Sequence, residues 1–141
     1  MGTTTDYLGT RLLDHASGNA AYAHPAQLYV GLILNSGLPT KGGAYTEVAT
    51  GVTPYARLAV DFTAAAADAT GAEADNTALL SWTPSGEDFG DIGAIALFDG
   101  NTVGGDNMLW FAELTAVDTV NDGDTFELPV GIIDLKLGGT T

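Results

Sequence analysis

Apolar and polar residues alternate along most of this chain with a period of two. The clearest case is residues 55–62, YARLAVDF, where Tyr55, Arg57, Ala59 and Asp61 alternate with Ala56, Leu58, Val60 and Phe62. That pattern predicts a half-buried strand with the Arg57 side wet. Residues 28–34, LYVGLIL, are almost wholly apolar and predict a strand covered on both faces or at a subunit contact. Between these runs lies a long connection, 35–53, rich in Gly, Thr and Pro, in which 44–48 could pair as an edge strand. A connection this long in a compact domain has a task or lies against a partner.

The same reading places further strands at 76–82, 92–98, 108–114, 117–120, 125–130 and 132–137. The pair 92–98 and 108–114 is joined by DGNTVGGDN, which is turn chemistry, and predicts an antiparallel hairpin. NDGD at 121–124 predicts a tight turn. Residues 64–75, AAAADATGAEAD, are alanine-rich but lack any large apolar residue to mark a buried face, so they predict extended or loop chain rather than helix. One helix is predicted, at 3–17. Thr4 or Thr5 caps it, Asp6 sits in the first turn, Leu8 and Leu12 stack one turn apart beside Leu13, and Gly18–Asn19 stop it. Three turns of helix are not stable alone in water, so the leucine stripe must dock on the chain's own sheet or on a neighbouring subunit.

The expected fold is all-β: one antiparallel β-sandwich or jelly-roll-like domain over 1–141, about eight strands in a β core at 27–137, and the short N-terminal helix. A length of 141 residues fits one domain that needs no covalent staple, and there is no cysteine to provide one. Cysteine catalysis, thiolate metal sites and disulfides are thereby excluded.

Charge narrows the partners. Eighteen Asp and Glu stand against four basic residues, Arg11, Lys41, Arg57 and Lys136, for a net charge of −14. Four scattered cations cannot form the basic stripe that nucleic acid requires, and an anionic membrane repels such a chain. No run approaches the about 20 apolar residues of a membrane span, and the first residues lack the features of a secretion signal. The acidity favours solubility and a partner with basic patches.

Candidate chemistry is sparse. Asp14, His15 and His24 have no serine on a strained elbow to serve, since Ser17, Ser36, Ser81 and Ser85 sit in no such motif. Asp88 and Asp91 beside Trp82 and Phe89 could be drawn as a carboxylate pair, but a polar bend around one buried aromatic explains them better. The loops with Asp118, Asn121, Asp122 and Asp124, and with Asp99, Asn101 and Asp106, offer oxygen ligands without the spacing of a calcium loop, and read as Asx turns. No catalytic residue, metal site or cofactor is expected. In 109–111, Leu-Trp-Phe puts large apolar side chains on both faces of one strand, which hints at association. The candidate interface residues are Leu8, Leu12 and Leu13 of the helix, Tyr45 of the long connection and Trp110.

Several stretches, taken in order, resemble a known family. They are DYLGTRLLDH at 6–15; LYVGLIL followed by Thr46-Glu47-Val48; Tyr55-Ala56-Arg57 leading to Val60 and Phe62; Asp88-Phe89-Gly90 before IGAIALFD; and LWFAEL followed by VNDGDTFELPVG. This pattern is similar to short virion proteins of tailed bacteriophages and prophages known as tail fibre proteins, some of which are capsid decoration, or cement, subunits. The resemblance implies no catalytic residues. It implies a structural protein on the particle surface, made in the host cytoplasm, that forms a homo-oligomer, plausibly a trimer, and binds the major capsid protein or another virion protein. Lacking a fibrous repeat, the chain is expected to be a decoration subunit that stabilises the assembled head. A tail fibre or tail-tip protein contacting the host is the alternative, and a carbohydrate-binding module a more distant one.

Overall fold

The computed structural model describes residues 2–51, 54–69 and 71–137. Residues 1, 52–53, 70 and 138–141, among them the end of the long connection and the C-terminal stretch, lie outside the described residues. The chain is mostly antiparallel strand with one α-helix, in a sandwich-like arrangement, as its alternation predicts.

The N-terminus begins not with helix but with a two-residue strand, β1 (Thr3–Thr4), which pairs with Trp110 and Phe111. Helix α1 (Asp6–Ser17) follows. Thr5 caps it: its Oγ1 accepts from the Leu8 amide at 3.4 Å and donates to the Met108 carbonyl at 2.7 Å. Gly18 ends it in the left-handed region, at φ 81°, where glycine has no Cβ penalty.

The main sheet has five strands in the order β1-β8-β7-β2-β3, with β2 at Leu28–Leu34, β3 at Leu58–Val60, β7 at Gly90–Phe98 and β8 at Met108–Val120. A hairpin of β4 (Ala66–Asp68) and β5 (Gly71–Asp75) joins β10 (Asp134–Leu137) in a three-stranded sheet. Thus the described strands within 64–75, Ala66–Asp68 and Gly71–Asp75, are extended, as expected, and paired. Strands β6 (Leu80–Trp82) and β9 (Phe126–Leu128) form a ribbon.

Two apolar clusters lie on opposite faces of the main sheet, because alternate residues of β2 and β7 point opposite ways, with the irregularity at Gly93 bringing Ile92 to the face of Ile95 and Leu97. Val30, Leu32, Ile92, Ile95 and Leu97 face the ribbon residues Leu80, Trp82, Phe126 and Leu128. Ile33, Ala94, Ala96 and Phe98 face Met108, Phe111 and the ring of Tyr45. LYVGLIL is therefore covered on both faces, and the chain supplies both covers. The doubled apolar faces of β2 and β8 do not by themselves call for a neighbour.

Strand β8 is longer than expected: the segments 108–114 and 117–120 are one strand interrupted by a wide bulge. Ala94 pairs with Glu113 but Ile92 with Asp118, so residues 114 to 117 stand opposite Gly93 alone. Gly93 is fixed from the other side. A Cβ there would lie 2.9 Å from the Asn35 backbone and 2.8 Å from the Leu38 side chain. Other expected strands shrink: 55–62 to β3, 125–130 to β9 and 132–137 to β10. The run 76–82 keeps only β6, and 44–48 contributes a single bridge, Ile33 to Glu47.

Candidate assembly surface

The alternation at 55–62 breaks at its most informative residues. Tyr55 and Arg57, expected on the wet side, are buried, and Ala56 is exposed. Regular pairing starts only at Leu58, so the residues before it turn inward around the edge of β2. The cause is an ion pair. Arg57 Nη2 donates to Glu47 Oε2 at 2.8 Å and Arg57 Nε to Glu47 Oε1 at 2.9 Å, a bidentate grip between side chains that are 0% and 2% exposed. The guanidinium lies 3.4 Å above the Phe98 ring centroid. Its remaining donors reach the carbonyls of Gly100 and Gly105. Asp106 stands 3.5 Å from Nη1.

Tyr55 completes the cluster. Its hydroxyl donates to Glu47 Oε1 at 2.6 Å and accepts from the Leu32 amide at 2.9 Å. Burial, and then the Glu47 carboxylate, push the Tyr55 hydroxyl far above its ordinary pKa. Burial lowers the tendency of Arg57 to hold its proton, but the bonds to Glu47 outweigh it and the guanidinium ends above its ordinary value. Gly31 leaves the room: a Cβ there would lie 2.6 Å from Glu47 Oε1. The cluster ties the long connection, the β2 edge and the β7–β8 turn together. Every charge in it is satisfied within the chain, so it is a lock rather than a ligand site.

Tyr45, a candidate interface residue, belongs to this lock. It is half-buried, packs edge-on against Phe98 at 5.2 Å, and accepts from Arg57 Nη2 at 3.3 Å. Burial raises its pKa.

Three of the other four candidates, Leu8, Leu12 and Trp110, come together elsewhere, and Leu13 does not. No residue of α1 is buried. Leu8 and Leu12 are half-exposed and line one wall of an apolar groove of about 230 Å³, opposite Leu135 and Leu137 of β10, with Leu97 and Trp110 among its lining. Trp110 is buried, so it serves as floor rather than as a free contact. Leu13 lies outside the groove and is 72% exposed. At the groove rim, Lys136 Nζ sits 3.0 Å from Glu73, 3.3 Å from Asp68 and 3.6 Å from Asp134. Its bond to Glu73 does most to raise its pKa.

The acidic loops use their carboxylates on backbone. Asp122 Oδ1 accepts from the Gly86 amide at 2.7 Å, Asp88 Oδ1 from the Asp122 amide at 2.7 Å, and Asp124 Oδ2 from the Asn121 amide at 2.9 Å. Asp99 holds both the amide and the side chain of Asn107, and Asp106 the Thr102 amide. These carboxylates brace loop backbone, Asp88 and Asp122 across separate loops and Asp99, Asp106 and Asp124 within one, rather than forming the local Asx turns expected from the sequence. His15 Nδ1 accepts from the Tyr22 amide.

Pattern reading missed Arg57, Glu47 and Asn76. Asn76 is buried. It donates to the carbonyls of Ala78 and Pro129, and its side-chain oxygen accepts from the Ile133 amide. A lone Arg between apolar residues, in a chain with four cations, was the available signal for the first of these.

The search of curated proteins finds no match. Among protein families, a model described as Podophage GP4 fiber I protein gp80 matches residues 3–136, from β1 into β10. With nearly the whole chain inside that match, this protein belongs to the Podophage GP4 fiber I family, a family of phage structural fibre proteins.

Proposed function

We propose that this chain is a subunit of the tail fibre apparatus of a short-tailed phage, acting by mechanical attachment rather than by catalysis. The observation that carries the reading is the extent of the family match, which takes in the helix, the main sheet and the small sheets of this chain together under a model described as a fiber protein. The mechanism needs a rigid body and surfaces for neighbours. The Arg57–Glu47 lock stiffens the loops at one end, and Asp88 and Asp122 brace the loops at the other by accepting from backbone amides. The partners are further copies, as a homotrimer, together with a virion protein bearing basic surface. The protein is made in the host cytoplasm and resides on the virion.

A capsid decoration subunit is the second reading, favoured by the compact body without a shaft. In that case many copies would bridge neighbouring capsid subunits and stabilise the head by binding only its assembled form. Gold-labelled antibody on purified particles separates the two. Label at the tail, with a copy number matching the tail's rotational order, is the expected result. Label over the whole head, with a copy number that scales with the capsid lattice, would replace the tail reading by the decoration reading.

A further inference from the structure

We infer that copies of this chain meet at the apolar tip formed by Leu79, Val130 and Ile132, an assignment that rests on the homotrimer reading and gives that trimer its contact face. Two loops make the tip, 76–79 before β6 and 129–133 after β9, next to the Leu80–Leu128 pair that ends the ribbon. Leu79 is 51% exposed, Val130 62% and Ile132 58%. Residues 129–132 form a β-turn. The Ile132 amide donates to the Pro129 carbonyl, and Gly131 supplies the positive φ, 78°, that a type II turn needs at its third position. Such turns usually carry polar residues, yet Val130 occupies this corner. Asn76 holds both loops in place. Its amide donates to the Ile133 carbonyl, and its carbonyl accepts from the Gly131 amide. Its side chain donates to the carbonyls of Ala78 and Pro129 and accepts from the Ile133 amide. Three aliphatic side chains held out in water add little to the fold, and a surface fixed in advance loses little freedom on binding.

Charge points to another copy as the partner. At a net charge of −14, two copies repel wherever carboxylates face each other. The stretches 76–82 and 128–133, NTALLSW and LPVGII, carry no charge. The other exposed large apolar residues stand singly. Leu13, Val117 and Leu137 each have a charged neighbour in the chain, Asp14, Asp118 and Lys136, and Leu38 packs against Gly93. A basic virion protein gains most at the carboxylate-rich faces and least at this tip. Copies of an acidic chain have the opposite preference. Carboxylates bound the tip without entering either loop. Asp61 takes the Thr77 amide on its carbonyl, Asp75 and Asp134 are a cross-strand pair with Asp134 3.6 Å from Lys136, and Glu127 lies opposite Ser81 in the ribbon. An acidic rim thus surrounds an apolar centre, and salt that screens rim from rim should tighten the contact. Near a three-fold axis each residue meets its own counterpart, so a small self-complementary patch is enough to bring three copies together.

Sedimentation of the purified chain tests the assignment. Val130→Asp should raise the dissociation constant of the trimer about tenfold or more, with circular dichroism and melting unchanged because the side chain is exposed. Leu79→Asp, on the other loop, should do the same and serves if V130D misfolds. Val117→Asp adds the same charge outside the tip and should leave the trimer intact. Wild-type association should strengthen between about 50 mM and 500 mM salt. Folded V130D and L79D chains that associate as the parent does would overturn the proposal. So would equal weakening by V117D, which would make net charge the cause. Association that weakens as salt rises would overturn it in favour of a contact between opposite charges. A V130D chain that still forms trimers but no longer attaches to particles would give the tip to another virion protein. Each of these results leaves the homotrimer reading standing. A monomeric wild type at high concentration would remove that reading and this assignment together.

Discussion

Arg57 lies flat against Phe98, its guanidinium carbon 3.4 Å from the ring centroid, while its far edge holds both oxygens of Glu47. The pair is out of reach of water, and each charge depends on the other. Removing one partner of such a pair costs about 3–5 kcal/mol, because an uncompensated buried charge remains. Glu47→Ala should therefore lower stability by that order in urea unfolding. Arg57→Lys should fail to rescue, since an ammonium can neither grip bidentately nor stack on the ring. A loss below about 1 kcal/mol would place the pair in solvent, against the geometry.

Alkaline pH should weaken the fold through Tyr55. Its folded pKa is raised, by burial and then by Glu47, above the value near 10 of an unfolded tyrosine. The contribution is fully present below pH about 10. Above that the unfolded chain ionises first, and stability falls by up to about 1.4 kcal/mol per pH unit. Lys136 shifts in the same direction, so the wild-type curve alone is ambiguous. Melting curves between neutral and strongly alkaline pH should be less steep for Tyr55→Phe than for the parent. Equal slopes would refute the assignment.

The Asn76 side chain ties its own segment to the 129–133 loop through three hydrogen bonds. Asn76→Ala leaves the Ile133 amide and two carbonyls without that partner, at about 1–3 kcal/mol for each buried group left unpaired. Hydrogen exchange should speed up at Ile133 and around the β6–β9 ribbon before it does so in β2 and β7. Uniform acceleration across the chain would show instead that Asn76 matters only to global stability.

A calcium chelator should change the melting temperature little. Asp88, Asp122 and Asp124 already accept from backbone amides, as turn carboxylates do. A drop of several degrees would mean that an ion shares those oxygens, and would revive a binding role for the loops.

Much of this fold was legible in local pattern. The apolar runs LYVGLIL and IGAIALF specify β2 and β7, which are covered on both faces. Thr5 and Gly18 mark the ends of α1 by their capping chemistry. What pattern could not show depends on partners brought by the chain's course. Arg57 reads as a wet position until Glu47, ten residues earlier in a connection without periodicity, turns it inward. Strand β8 reads as two because residues 114–117 have no partner in β7, and only the register of the sheet reveals the bulge. Leu8 and Leu12 were visible as a stripe. The opposite wall, Leu135 and Leu137, is placed by the pairing of β10 with β5 some sixty residues away in the chain, which no local pattern encodes.

The central claim is that this is a structural component of the phage particle. Quantitative mass spectrometry of particles banded by density gradient tests it most directly. The predicted result is a fixed ratio of this chain to the major capsid protein, unchanged through successive gradients and lost only when the particle is dismantled. A chain abundant in the infected lysate but absent from banded particles would contradict the account.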